Sequence, residues 1–171
     1  AYVVQHPHKV TWLVQQFRQA YELFGTEFSH FDNSPEDAEL RRTIWQIDSE
    51  TLGESQQLFS ISANVSRRLQ RFNGLAAAPL YPPPPLDGKL RNEGYGDYIF
   101  TVSRLNVMKR VDQLVRAMGR VRTPVRCKIA GQGDELARLK ELAKQCGADE
   151  RVDFAGYVSE QELVSLYGSA R

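Results

Sequence analysis

From residue 98 onward, short strand-like runs alternate with amphipathic stretches in a regular order, and this alternation constrains the fold more tightly than any other feature. Residues 98–102, 125–130 and 152–155 read as strands, and residues 109–121, 134–145 and 159–169 read as helices. The apolar run from Tyr98 to Val102 reads as a buried strand. The last helix opens on Ser159-Glu-Gln-Glu162, the pattern of a capping box. A βαβαβα series of this kind implies an α/β fold in which helices pack against a parallel sheet. Ligands of such sheets bind beyond the carboxyl ends of the strands, the edge where Arg104, Gly131 and Tyr157 are expected.

The first half follows a looser version of the same pattern. Residues 2–4 read as a strand. Residues 9–24 read as a helix, with Val10, Leu13, Val14, Phe17, Tyr21 and Phe24 on one face. A second helix is expected over 36–52 and a short strand over 58–61. Ser62 is a plausible N-cap for a third helix through Val65, Leu69 and Phe72, which Asn73-Gly74 would end. Pro82 to Pro85 can neither donate ladder hydrogen bonds nor continue a helix, so this run is expected to be a stiff connector. It suggests two part-domains, residues 1–84 and 85–171, joined by a proline-rich linker.

Composition narrows the functional classes. With 42% hydrophobic and 25% charged residues, the chain has material for a core and a solvated face. A formal net charge of +1 argues against wholesale nucleic-acid binding. The block 104–128 holds eight cations against one acid, Asp112, but contains no aromatic ring, whereas single-strand binders interleave stacking rings with their cations. No apolar run approaches membrane-spanning length, and nothing resembles a signal peptide. Cys127 and Cys146 lack metal-type spacing and read as reduced core thiols, which suggests a cytoplasmic setting. The chain opens on a strand-like run without Met and closes on a helix that should lead into another strand. A piece of a larger protein is expected.

Chemistry is concentrated where strands meet helices. Ser103-Arg104 ends one strand, and Lys109 follows at the start of a helix. An arginine fork grips a diphosphate through paired hydrogen bonds, and a lysine adds a mobile point charge. The other cations of the block read as surface residues. Gly131 and Gly133 form a strand-to-helix turn that lets backbone approach a ligand closely. Leu136 stands where a dinucleotide fingerprint needs a small residue, which weakens a nicotinamide or flavin reading. Asp134 would repel a phosphate there and reads as a cap or first-turn acid. Gly156-Tyr157-Val158 closes the third strand of this half. His6 and His8 are expected to end the opening strand, as acid–base or orienting groups or as ordinary loop residues. They could supply two of the three or four ligands of a metal site, but no carboxylate or cysteine lies nearby in sequence to complete it.

Several of these segments together resemble a known family. Val102-Ser-Arg-Leu-Asn-Val-Met-Lys-Arg-Val-Asp-Gln-Leu-Val-Arg-Ala117 is similar to the start of the donor-binding domain in the family 4 retaining glycosyltransferases. The frame continues through Ile129-Ala-Gly-Gln-Gly-Asp-Glu135, Arg151-Val-Asp-Phe-Ala-Gly-Tyr-Val158 and Glu162-Leu-Val-Ser-Leu-Tyr167. Residues 58–69 and 80–84 resemble that family's last N-domain helix and interdomain linker.

The resemblance implies a GT-B architecture, with the acceptor on the first Rossmann-like domain and a nucleoside-diphosphate sugar, UDP- or GDP-linked, on the second. Arg104 and Lys109 would hold the donor diphosphate and stabilise the departing nucleoside diphosphate without a metal or other cofactor. Gly131, Gly133, Tyr157 and Val158 would border the nucleoside. His6 resembles the cleft histidine near the transferred sugar, and His8 competes for that place. The family's N-terminal glycine loop and its paired-glutamate segment are absent from these residues, so the chain alone is not expected to turn over. A non-catalytic module of the same fold, serving nucleotide binding or protein association, is the rival reading. Peripheral membrane contact through other parts of the parent stays open.

Overall fold

The proline run falls where the chain divides. The computed structural model describes residues 2–171 and separates into one unit ending at Pro83 and another starting at Pro84. Each unit is built on its own three-stranded parallel sheet.

In the first unit the strands are β1 (Val10–Leu13), β2 (Gln57–Ser60) and the two-residue β3 (Ala78–Pro79), in that spatial order. Helix α1 (Pro35–Gly53) starts at Ser34, whose hydroxyl accepts from the Asp37 amide, with proline at the first helical position. Helix α2 (Ala63–Asn73) is capped by the Ser62 hydroxyl and ends at Gly74, which adopts a left-handed conformation with φ 69°. Leu13, Leu52, Val65, Leu69 and Ala77 form the core between sheet and helices.

Two expectations for this unit are overturned. Residues 2–4 lie in a turn and irregular chain, and the expected helix over 9–24 is replaced by β1, irregular chain and a 3-10 turn at Arg18–Ala20. The apolar residues of this stretch fit a helical face, but Val10 to Val14 are mostly β-branched or aromatic. Pairing Val10 with Gln57 and Leu13 with Ser60 satisfies their backbone in a way that an isolated helix face does not. Consequently His6 and His8 precede the first strand rather than end it. Tyr21 takes up a core role by another route, stacking on Trp45 at 5.4 Å between ring centres and meeting Phe72 edge-on at 5.5 Å.

A buried carboxylate ties this unit together. Asp48 is 2% exposed and accepts from both the Tyr2 and Tyr21 hydroxyls. Burial, with the bond to Asp48 and its charge, pushes the Tyr2 hydroxyl up to about 12. Tyr21 shifts the same way through burial, opposed by its bond from Asn73 and reinforced by Asp48.

In the second unit the sheet runs β4 (Tyr98–Val102), β5 (Arg126–Ala130), β6 (Val152–Gly156). Helices α3 (Val111–Arg120) and α4 (Leu136–Gln145) share one core with Ile99, Cys127, Ile129, Val152 and Phe154. Helix α5 (Glu160–Gly168) meets the alternate residues of β4 instead: Tyr98 donates to the Leu166 carbonyl at 2.9 Å, and Phe100 meets Tyr167 edge-on at 4.9 Å. Side chains alternate between sheet faces along a strand, so α5 lies on the face opposite α3 and α4. Ser159 and Glu162 form the expected capping box. Among the described residues, no helix is long and apolar enough to cross a membrane.

Both tryptophans, Trp12 and Trp45, belong to the first unit, so their fluorescence reports its unfolding alone. A phenol whose folded pKa exceeds its unfolded value stabilises the fold fully below the unfolded pKa and loses that contribution as pH rises through the folded one. The fluorescence melting temperature should therefore fall between about pH 10 and 12, and Tyr2→Phe should shrink that fall. An identical pH profile for the variant would contradict this assignment.

Candidate functional site

The second unit has a topological switch at β4. The helices after β4 and β5 pack on one face, whereas the helix after β6 packs on the other and returns the chain to β4, where the Arg171 amide donates to the Tyr98 carbonyl at 2.9 Å. The crevice beyond the carboxyl end of such a strand is where open α/β sheets bind ligands. Residues 103–110 occupy that position.

Three turns meet there and are locked together through their backbones. The Ser103 amide donates to the Ala130 carbonyl at 3.1 Å, Leu105 to Gln132 at 2.9 Å, and Glu135 to the Leu105 carbonyl at 3.0 Å. Gly131 donates to the Gly156 carbonyl at 2.6 Å, joining the third turn. Glycine is required for this approach. A Cβ on Gly131, where φ is 122°, would lie 1.8 Å from the Ser103 carbonyl oxygen, and one on Gly133 would lie 2.1 Å from that of Leu105. The sequence suggests glycines that let backbone approach a ligand closely; in the fold they also let the two turns approach each other.

Leu105 is fully buried and anchors its turn to the core, while its neighbour Arg104 is exposed. A 3-10 turn at Val107–Lys109 then carries Lys109 outward. Among the described residues, neither the Arg104 nor the Lys109 side chain has a carboxylate within ion-pair distance or a hydrogen-bond partner. Some cations of the second unit are engaged, Arg138 with Glu135, Lys128 over the Tyr98 ring at 4.1 Å, and Arg151 on the carbonyls of Met118 and Val121 that end α3, so it is their place beyond β4 that sets Arg104 and Lys109 apart from the other unpartnered cations. Tyr157 is 78% exposed at the end of β6, beside Val158, which is partly buried. Asp134 precedes α4, is exposed and makes no capping bond, so its expected role as a cap is not met.

Features that sequence reading missed lie in the same turn. Asn106 places a buried Oδ1 with no hydrogen-bond partner between the two cations. Val107 and Met108 expose apolar side chains beside Lys109. Arg110 has φ 51° and ψ 36°, the left-handed region, and it is the non-glycine residue with positive φ among the described residues. That conformation costs an L-residue roughly 1–2 kcal/mol. Nothing in the one-dimensional pattern announces it.

His6 and His8 belong to the first unit. His6 Nδ1 accepts from the His8 amide at 3.0 Å, a local turn contact at the amino end of β1. The carboxyl end of β1 leads instead into Val14-Gln15-Gln16. A groove of about 510 Å³ runs along the free edge of β1, lined by Val4, His6, Val10, Trp12 and Val14. Its lining is mostly apolar, with His8 and the buried Lys9 among it, and its long apolar strand edge is unlike a phosphate site. Among the described residues, no group of three or more His, Cys, Asp or Glu residues gathers as metal ligands would.

Because the three turns depend on glycine, Gly133→Ala should overpack the interlock at about 1–3 kcal/mol. A melting temperature for the second unit within about 2 °C of the parent would contradict the interlock.

Comparison with known proteins agrees with this geometry. The profile of the glycosyl transferases group 1 family matches residues 86–171. An uncharacterized glycosyltransferase of Methanocaldococcus jannaschii is 38% identical over 74 residues, 42% of this chain and 19% of that protein. Among solved structures, TarM of S. aureus, in a complex with fondaparinux, alpha-GlcNAc-glycerol and UDP, is 12% identical with a TM-score of 0.64 over 95% of this chain and 31% of its own. The lipopolysaccharide outer core galactosyltransferase WaaB is 16% identical with a TM-score of 0.55, over 71% of this chain and 36% of its own. The chain thus spans about a fifth of the curated relative and about a third of these structures, whose likeness gives it the GT-B type of α/β fold. With half its length under the family profile, the chain belongs to the group 1 glycosyl transferases.

Proposed function

We propose that this chain supplies the start of the donor site of a retaining glycosyltransferase, which moves a sugar from a nucleoside-diphosphate donor to an acceptor. The observation that carries the proposal is a pair of exposed, unpaired cations, Arg104 and Lys109, on the turn at the topological switch. Two cations on a rigid turn are suited to a diphosphate, whose negative charge grows as the glycosidic bond breaks and the leaving group departs. In this reading they do the work a divalent metal does elsewhere. The Gly131–Gly133 turn and Gly156-Tyr157-Val158 border the nucleoside, with the exposed Tyr157 ring available to a base.

The finer assignments follow from the resemblance to the family 4 enzymes. They are retention of configuration, hexosyl transfer, a UDP- or GDP-linked donor, residues 1–84 as acceptor-side and residues 85–171 as donor-side portions. TarM, solved with UDP, supports the nucleotide class of the donor. A reduced, cytoplasmic setting agrees with two unpaired thiols, of which Cys127 is buried and pushed up to about 11 by that burial. His6 is the assignment with least geometric support, since it stands at the amino end of β1 rather than at a ligand-binding edge.

In the full-length parent, Arg104→Ala should lower kcat/KM for sugar transfer by about a hundredfold or more, with activity persisting in a chelator. Near-normal transfer by Arg104→Ala would sink the site assignment, and abolition by chelator would sink the metal-free mechanism.

A further inference from the structure

Arg110 follows Lys109 directly and is the first residue of the turn into α3. Its left-handed backbone sets the direction in which the chain leaves Lys109. Its guanidinium lies against Asp112 in the first turn of α3, with Nε 3.1 Å from Oδ1 and a terminal nitrogen 3.3 Å from Oδ2. This is a fork on a carboxylate, the most directional pairing an arginine makes. Asp112 is the acid that shares this turn with Arg104 and Lys109. Its carboxyl is held below the ordinary range by the Arg110 bond, against partial burial, with smaller help from the charges of Arg110, Arg138 and Arg116. It is therefore a fixed anion at a helix N-terminus, where an incoming phosphate would also be favoured.

We propose that Arg110 is a positioning residue of the diphosphate grip. Its left-handed backbone aims Lys109 at the ligand, and its side chain neutralises Asp112, so that the anion does not oppose the diphosphate. This inference rests on the reading of residues 103–110 as a diphosphate site. It explains why a position whose backbone favours glycine carries arginine: glycine would provide the turn but leave the Asp112 charge uncompensated.

The test is calorimetric binding of UDP and of GDP to the 171-residue chain and its variants, with melting temperatures measured alongside. Arg104→Ala should lose about tenfold or more in affinity for whichever nucleotide binds. Arg110→Gly, which suits the left-handed turn, should fold normally and lose about tenfold, with the loss shrinking as salt rises. Adding Asp112→Asn to Arg110→Gly should recover affinity to within about threefold of the parent, a coupling that a purely structural Arg110 would not produce. Arg110→Val, which resists the left-handed turn, should lose more than Arg110→Gly and should not recover with Asp112→Asn.

If Arg104→Ala weakens binding while Arg110→Gly does not, the role of Arg110 is overturned and the diphosphate site stands. If Asp112→Asn fails to rescue Arg110→Gly, charge neutralisation is overturned. A Val variant that behaves like the Gly variant overturns the backbone role. Unaltered binding by Arg104→Ala, or none by the unsubstituted 171-residue chain, overturns the site reading and this inference with it.

Discussion

The second unit depends on three turns that share backbone hydrogen bonds at the carboxyl edge of its sheet. The turn after β5 carries Gly131 and Gly133 because the carbonyl oxygens of Ser103 and Leu105 occupy the space where side chains would be. The bond from Gly131 to the Gly156 carbonyl extends the lock to the end of β6. Loops at a ligand-binding edge are normally the mobile part of an α/β fold. Here they brace one another, so the backbone that carries Arg104 and Lys109 is fixed at this edge.

The second unit as a whole shows how charge is apportioned. Arg151 caps the last carbonyls of α3, Arg138 holds Glu135, Arg110 holds Asp112, and Lys128 lies over an aromatic ring. Each has a partner that fixes its position, and surface pairs of this sort contribute little to stability. Arg104 and Lys109 differ because they sit at the switch point and have no protein partner among the described residues. The first unit handles charge by burial instead. Asp48 is withdrawn from water and satisfied by two tyrosines, while Lys9, also buried, reaches Glu54 and the Thr51 carbonyl. That arrangement serves the fold of its own unit and has no vacant partner to offer a ligand.

How much was legible in the sequence differs between the halves for a physical reason. In the second half, 98–102 is an apolar run too short to be a helix, and strand-like and amphipathic segments alternate in strict order; the bounds of that strand and the capping box of α5 follow from the residues directly. In the first half, Val10 to Phe24 has apolar spacing that fits a helix, and only the partner strand, more than forty residues away, decides for β1. A reading of local period has no access to that partner. The glycine turns are legible but their part in the interlock is not, since a close approach between two loops and one between a loop and a ligand leave the same mark in a sequence. Asn106 and Arg110 left no mark at all: a buried unpaired oxygen and a left-handed arginine exist only once the three turns have met.

The central claim is that the interlocked turns of the second unit receive a nucleoside diphosphate. Amide chemical-shift mapping of the 171-residue chain during titration with UDP and GDP tests it most directly. The account predicts saturable shifts at Ser103 to Arg110, at Gly131 to Gly133 and at Gly156 to Val158, with the amides along β1 and its preceding residues little changed. Shifts concentrated at His6 to Val14, with the three turns unmoved, would contradict it.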